Sequence, residues 1–129
     1  MPNSYNFYHF LEETRFFEKI SEEQYIKDIK SMIGEISDVN FENDLKKEFE
    51  EILLPKRATS QSAGYDFYAP CDVIIPPGKA ILIPTGIKAK MMPDEILSIY
   101  PRSSLGFKYN IRLANSVGIV DAKGKYIYE

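Results

Sequence analysis

The 129-residue chain is predicted to be mainly β, a sandwich or barrel preceded by an α-helical N-terminal segment, on the strength of three observations. Seven of the eight prolines lie at or beyond Pro55, the only glycine before that point is Gly34, and short Val-, Ile- and Tyr-rich runs occur between the later prolines and glycines. Proline-punctuated runs at this spacing are typical of antiparallel sandwiches and barrels, and no helical crossover separates them as a parallel α/β sheet requires. The boundary is placed at Leu54, giving a helical segment over 1–53 and a β domain over 54–129.

From Ser4 to Ile52, Glu, Lys and Leu or Ile recur at spacings of three and four, a helical texture. Ser21 and Gln24 have the form of a capping box leading into Tyr25, Ile29 and Met32. Gly34, followed by Ser37, Asp38 and Asn40, marks a break. A second helix is expected from about Asn43 to Leu53, with Phe41, Leu45, Phe49 and Leu53 repeating every four residues. The early aromatics Tyr5, Phe7, Tyr8, Phe10, Phe16 and Phe17 are read as packing surface, with a docking face for a protein partner as the alternative. Beyond Leu54 the expected strands are YDFYA, CDVIIP, AILIPTG, IKAKM, EILSIYP and IRLANSVGIV.

Composition narrows the chemistry. A 44% hydrophobic and 27% charged chain is that of an ordinary globular protein of one domain, at a size where a partner subunit often supplies further burial. Apolar runs are far shorter than the roughly 20 residues a membrane span needs, and the N-terminus lacks the pattern of a signal peptide, so a cytoplasmic protein is expected. One cysteine, Cys71, and one histidine, His9, exclude an internal disulfide and a Cys/His metal cluster; a bound metal must be held by oxygen. Residues 1–50 carry a net charge of −6 and the remainder +3. The acidic part argues against nucleic acid, while the basic part suits an anionic ligand.

Four groups carry candidate chemistry. In SAGYD, Asp66 stands near a strand start behind a glycine, where a carboxylate can face a cation; a surface turn is the plainer reading. In PRSSLG, Arg102, Ser103 and Ser104 put a guanidinium fork and two hydroxyls on a tight turn suited to phosphate oxygens, although a basic turn at a sheet edge has the same look. Asn115 lies in LANSVG. In GIVD, Asp121 ends an apolar strand, where partial desolvation would make it a better base for water; a turn-forming aspartate is the alternative.

The order of these groups, SAGYDFYAP, then IPPG and PTGIKA, then YPRSSLGFKYNIRLANSVGIVD, resembles the first three motifs of the trimeric dUTPase family from about Leu54 to Asp121, in a wording like its phage and Gram-positive branch. The resemblance implies a jelly-roll subunit, a homotrimer with active sites between subunits, and magnesium-dependent hydrolysis of dUTP to dUMP and pyrophosphate. By motif, Asp66 would help hold hydrated Mg2+, Arg102 and Ser103 would contact the phosphates, and Ser104 would support their turn. Asn115 would read the uracil edge from a hairpin that includes Gly118, whose close backbone excludes ribose or a methylated base. Asp121 would orient and deprotonate the attacking water.

Two departures from the family pattern carry expectations of their own. Gly124 stands where the family places a sugar-stacking tyrosine, which makes Tyr126 the candidate replacement. The sequence holds neither the fourth motif nor the glycine-rich arm that closes over the phosphates, so the β domain is expected to be truncated after the third motif, with reduced or lost activity. The alternative function is a non-catalytic nucleotide-binding or regulatory relative. A dCTP deaminase ranks below both, because no deaminase-type glutamate accompanies PRSSLG.

Overall fold

The computed structural model describes residues 16–34 and 38–122. These fall into two compact units, one spanning Phe17–Ala89 and the other built from residues 90–122 with Phe16. Of the early aromatics, Tyr5, Phe7, Tyr8 and Phe10 lie outside the described residues.

The first unit holds β1 (Phe16–Lys19) from Phe17 onward, helix α1 (Glu22–Ile33) and helix α2 (Val39–Glu51). The Ser21 hydroxyl accepts the Gln24 amide at 3.1 Å, as the capping-box spacing requires, and Glu22 and Glu23 complement the positive end of the α1 dipole. Gly34 ends α1 at φ 87°, a backbone region that favours glycine. Helix α2 starts four residues earlier than the periodicity suggests, because the Asp38 carboxylate accepts the Asn40 amide at 2.9 Å and caps it. It has no basic residue in its own last turn. Lys19 of β1 supplies one, its Nζ donating to the carbonyls of Phe49 at 3.0 Å and Glu50 at 2.9 Å. Lys30 pairs with Glu42 across the two helices and holds the Glu42 carboxyl below its usual range.

Strand β2 (Ile87–Lys90) pairs with β1, and the Ile20 amide donates to the Gly86 carbonyl at 2.9 Å. The core of this unit is Ile20, Tyr25, Ile52 and Ile87, with Phe17, Ile29, Phe49 and Phe67 packed against it. Burial of such side chains stabilises by about 2 kcal/mol each, which makes these few contacts the main cohesion of the unit. Tyr25 is fully buried, and its hydroxyl donates to the Glu48 carboxylate. Burial first, and then Glu48, push the phenol far above its ordinary pKa, so it stays a donor. Gly86, at φ 68°, lets the strand approach the helices: a Cβ there would stand 2.6 Å from Ile52 Cδ1 and 3.3 Å from the Tyr25 ring.

In the second unit, β3 (Ile96–Ile99) pairs antiparallel with β4 (Gly118–Asp121), in the register Ile96 to Asp121 and Ile99 to Gly118. Between them lies the short helix α3 (Ser103–Tyr109). Asn110 closes it in the left-handed region at φ 53°, its amide donating to the Gly106 carbonyl at 3.1 Å, the bond of a simple αL stop, and the Ile111 amide donates to the Leu105 carbonyl at 3.0 Å.

The strand expectations hold in part. IKAKM, EILSIYP and the GIVD end of the last run are strands, whereas YDFYA contributes only the isolated bridge of Asp66 with Lys56. CDVIIP and AILIPTG flank a turn in which the Lys79 amide donates to the Pro76 carbonyl, yet neither forms a ladder among the described residues. Most of their large apolar side chains, Ile74 above all at 89% exposure, face solvent, whereas Ile83 is half-buried and Pro84 buried. Phe16–Lys19, by contrast, is a strand although it lies within the helical texture. Two adjacent phenylalanines favour a pleated surface, and β2 offers the edge.

Candidate functional site

Within the second unit, the β3–β4 register arranges the motif residues along one small sheet. Cross-strand partners share a face, so Ile96, Ser98, Ile119 and Asp121 stand on one side and Leu97, Ile99 and Val120 on the other. The Asp121 side is open: Ile96 is 59% and Ile119 66% exposed, and Asp121 itself is exposed. Water therefore reaches the carboxylate directly, and the desolvation expected for a residue ending an apolar strand is not provided by the described part of this chain.

The other candidates gather at the opposite end of the sheet. β3 leaves its pairing at Ile99, beside Gly118, and three residues later Arg102 stands at the N-cap of α3, followed by Ser103 and Ser104 in its first turn. PRSSLG is thus the start of a helix rather than a free tight turn, held by the Leu105 amide on the Arg102 carbonyl at 2.9 Å. All three polar side chains are exposed. Asn115 occupies the turn entering β4, where the Ser116 amide donates to the Leu113 carbonyl at 3.1 Å and that of Val117 to Asn115 at 2.8 Å. Ser116 adopts φ 69°, a cost borne next to the amide side chain that sequence reasoning singled out. Gly118 is buried, so the backbone at the start of β4 is packed without a side chain. Asp121 lies three residues, or about 10 Å, further along the strand than Gly118.

Asp66 belongs to the first unit. It is half-buried, and its backbone is fixed to Lys56 by two hydrogen bonds, Asp66 N to Lys56 O at 2.8 Å and Lys56 N to Asp66 O at 3.3 Å. No group of three or more His, Cys, Asp or Glu with metal-binding geometry occurs among the described residues. A protein cage is therefore absent there, while a single carboxylate remains compatible with a hard cation that takes its other oxygens from phosphates and water. Tyr126 lies outside the described residues. A cleft of about 260 Å³ bordered by Asp28, Ser31, Met32, Leu82, Ile83 and Pro84 contains none of the candidate site residues.

The sequence pattern of these positions matches the dUTPase family model over residues 50–125. The chain belongs to the dUTPase family. It is 50% identical over 70 residues to the deoxyuridine 5'-triphosphate nucleotidohydrolase of Lactococcus lactis, covering 54% of this chain and 47% of that protein. With the protein of the same description from Psychromonas ingrahamii it shares 47% identity over 75 residues, covering 56% of this chain and 50% of the relative. The chain thus spans about half the length of the curated relatives it matches. Among solved structures, the crystal structure of dUTPase from Streptococcus mutans superposes with a TM-score of 0.58 at 33% identity, over 84% of this chain and 65% of the other. The fold is accordingly dUTPase-like and mainly β, with three helices among the described residues. No helix among those residues is long and apolar enough to cross a membrane.

Proposed function

We propose that this chain is a subunit of a dUTP diphosphatase, hydrolysing dUTP to dUMP and pyrophosphate. The observation that carries this reading is the β3–β4 sheet, which presents an exposed carboxylate at one end and the Arg102, Ser103 and Asn115 segments at the other. Asn115 offers an amide donor and acceptor to one edge of a pyrimidine. The packed backbone at Gly118 limits the room beside it for a methyl or a 2'-hydroxyl. Arg102 pairs with phosphate oxygens through its planar fork, and the Ser103 hydroxyl donates to an oxygen between the first two phosphates, with Ser104 steadying the first turn of α3. Asp121, reached by solvent, orients a water and takes its proton as the oxygen attacks phosphorus, a role in which positioning and charge neutralisation carry most of the catalysis. Asp66 is the residue that would hold Mg2+, which when bound neutralises charge on the phosphates.

The placement of Asp121 and the Arg102 segment toward opposite ends of one sheet supports a site completed between subunits of a homotrimer. Tyr126 is the candidate to pack on the sugar. The domain division at Leu54 and a cytoplasmic location belong to the same reading.

The test is pyrophosphate release from dUTP with Mg2+, run beside dCTP and UTP. Release from dUTP alone supports the proposal. Binding of dUTP without turnover would replace it with the non-catalytic alternative, and ammonia from dCTP would sink both.

A further inference from the structure

The segment 57–65 is anchored in a way that the reading above does not use. It springs from the isolated Lys56 to Asp66 bridge, and two backbone bonds without a continuing ladder hold a loop only weakly. Inside the loop, the Ser62 amide donates to the Thr59 carbonyl at 3.2 Å and the Thr59 amide to the Ser62 hydroxyl at 3.0 Å, forming a small turn. Arg57 connects that turn to the residue preceding Asp66. Its Nη1 donates to the Ser62 carbonyl at 2.8 Å while its guanidinium lies 5.2 Å from the centre of the Tyr65 ring. Tyr65 in turn meets the Phe17 ring edge-on at 5.3 Å, and Phe17 meets Phe67 at 5.4 Å. Both chain neighbours of Asp66 therefore rest on Phe17, which packs against the buried core.

We propose that Arg57 is a positioning residue for Asp66, fastening the loop 57–65 so that the carboxylate is presented in one orientation to the metal-nucleotide complex. The proposal rests on the reading of Asp66 as the metal carboxylate. Arg57 is exposed and outside the core, so its removal loosens the loop without opening the packing of Tyr25 and Ile52. The task needs a flat fork that donates sideways to a carbonyl while one face lies on a ring. A lysine ammonium can make one of these contacts but not both in the same pose.

The test compares the full chain with its Arg57→Ala, Arg57→Lys and Asp66→Asn variants, measuring the Mg2+ concentration that half-saturates binding of α,β-imido-dUTP. Metal-free dUMP binding, thermal melting and amide exchange of Asp66 are measured alongside. Arg57→Ala is expected to raise the Mg2+ requirement about tenfold, the usual size for loss of an outer partner of a metal ligand. Metal-free dUMP binding should stay unchanged, and the Asp66 amide should exchange faster; Arg57→Lys should recover only part of the loss. An unchanged Mg2+ requirement and unchanged Asp66 exchange in Arg57→Ala overturn the proposal, as does an equal loss of dUMP and metal-dependent binding. If Asp66→Asn leaves the Mg2+ requirement as it was, the metal reading of Asp66 fails, and Asp66 exchange alone then decides whether Arg57 holds the loop.

Discussion

The two compact units divide cohesion and chemistry between them. In Phe17–Ala89, two capped helices and a strand pair enclose Ile20, Tyr25, Ile52 and Ile87. In residues 90–122 the only buried position is Gly118, while Asp121, Arg102, Ser103 and Asn115 all face solvent. Side chains proposed to meet a ligand cannot also fill a core, and the unit richest in candidate residues is poorest in buried apolar side chains. Substitutions at the candidate residues of the second unit should accordingly read out in catalysis, and those in the buried core of the first in stability.

The largest expected effect tests the catalytic half of this contrast. Asp121→Asn keeps the shape of an exposed side chain but removes the proposed base, and should lower pyrophosphate release by about 10²- to 10⁴-fold with the melting temperature nearly unchanged. A steady-state assay with a parallel melt checks it, and a variant that melts early would break the division. Next comes Tyr25→Ala, which empties the one fully buried large side chain among the described residues and should cost about 3–5 kcal/mol in urea unfolding. Tyr25→Phe, which loses only the bond to Glu48, should cost about 1 kcal/mol. Gly86→Ala should destabilise by about 1–3 kcal/mol, since the added methyl meets Ile52 and the backbone sits at φ 68°. A paired Ile52→Val change should recover part of that loss, which a double-mutant cycle would show. The smallest effect sharpens the comparison from the other side. Ser116→Gly relieves a left-handed backbone and should stabilise by a few tenths of a kcal/mol up to about 1, raising the melting temperature slightly. If nucleotide affinity falls at the same time, Ser116 constrains the Asn115 turn.

Local signals in the sequence carry far. Ser21 with Gln24 and the break at Gly34 are contained within a few residues and appear as expected. Asp38 was legible as part of a break but not as a cap, because the same carboxylate serves either and the following turn decides. Strand assignments depended on partners: Ile87–Lys90 and Ile96–Ile99 find edges to pair with, whereas the equally apolar runs around Ile74 and Leu82 find none among the described residues. The candidate site was legible as an ordered set of motifs, since type and spacing survive in one dimension. What spacing hides is geometry: that Asp121 is exposed, that PRSSLG opens a helix, and that Arg57 reaches both Ser62 and Tyr65.

The close approach at Gly86 also bears on inheritance. A helical pair seated where a single hydrogen on the strand is tolerated cannot be transplanted freely onto relatives that carry a side chain there, unless Ile52 shrinks at the same time. Helices and strand are thus expected to be exchanged as one block, and a recombination point placed between Ile52 and Gly86 should yield few folded offspring.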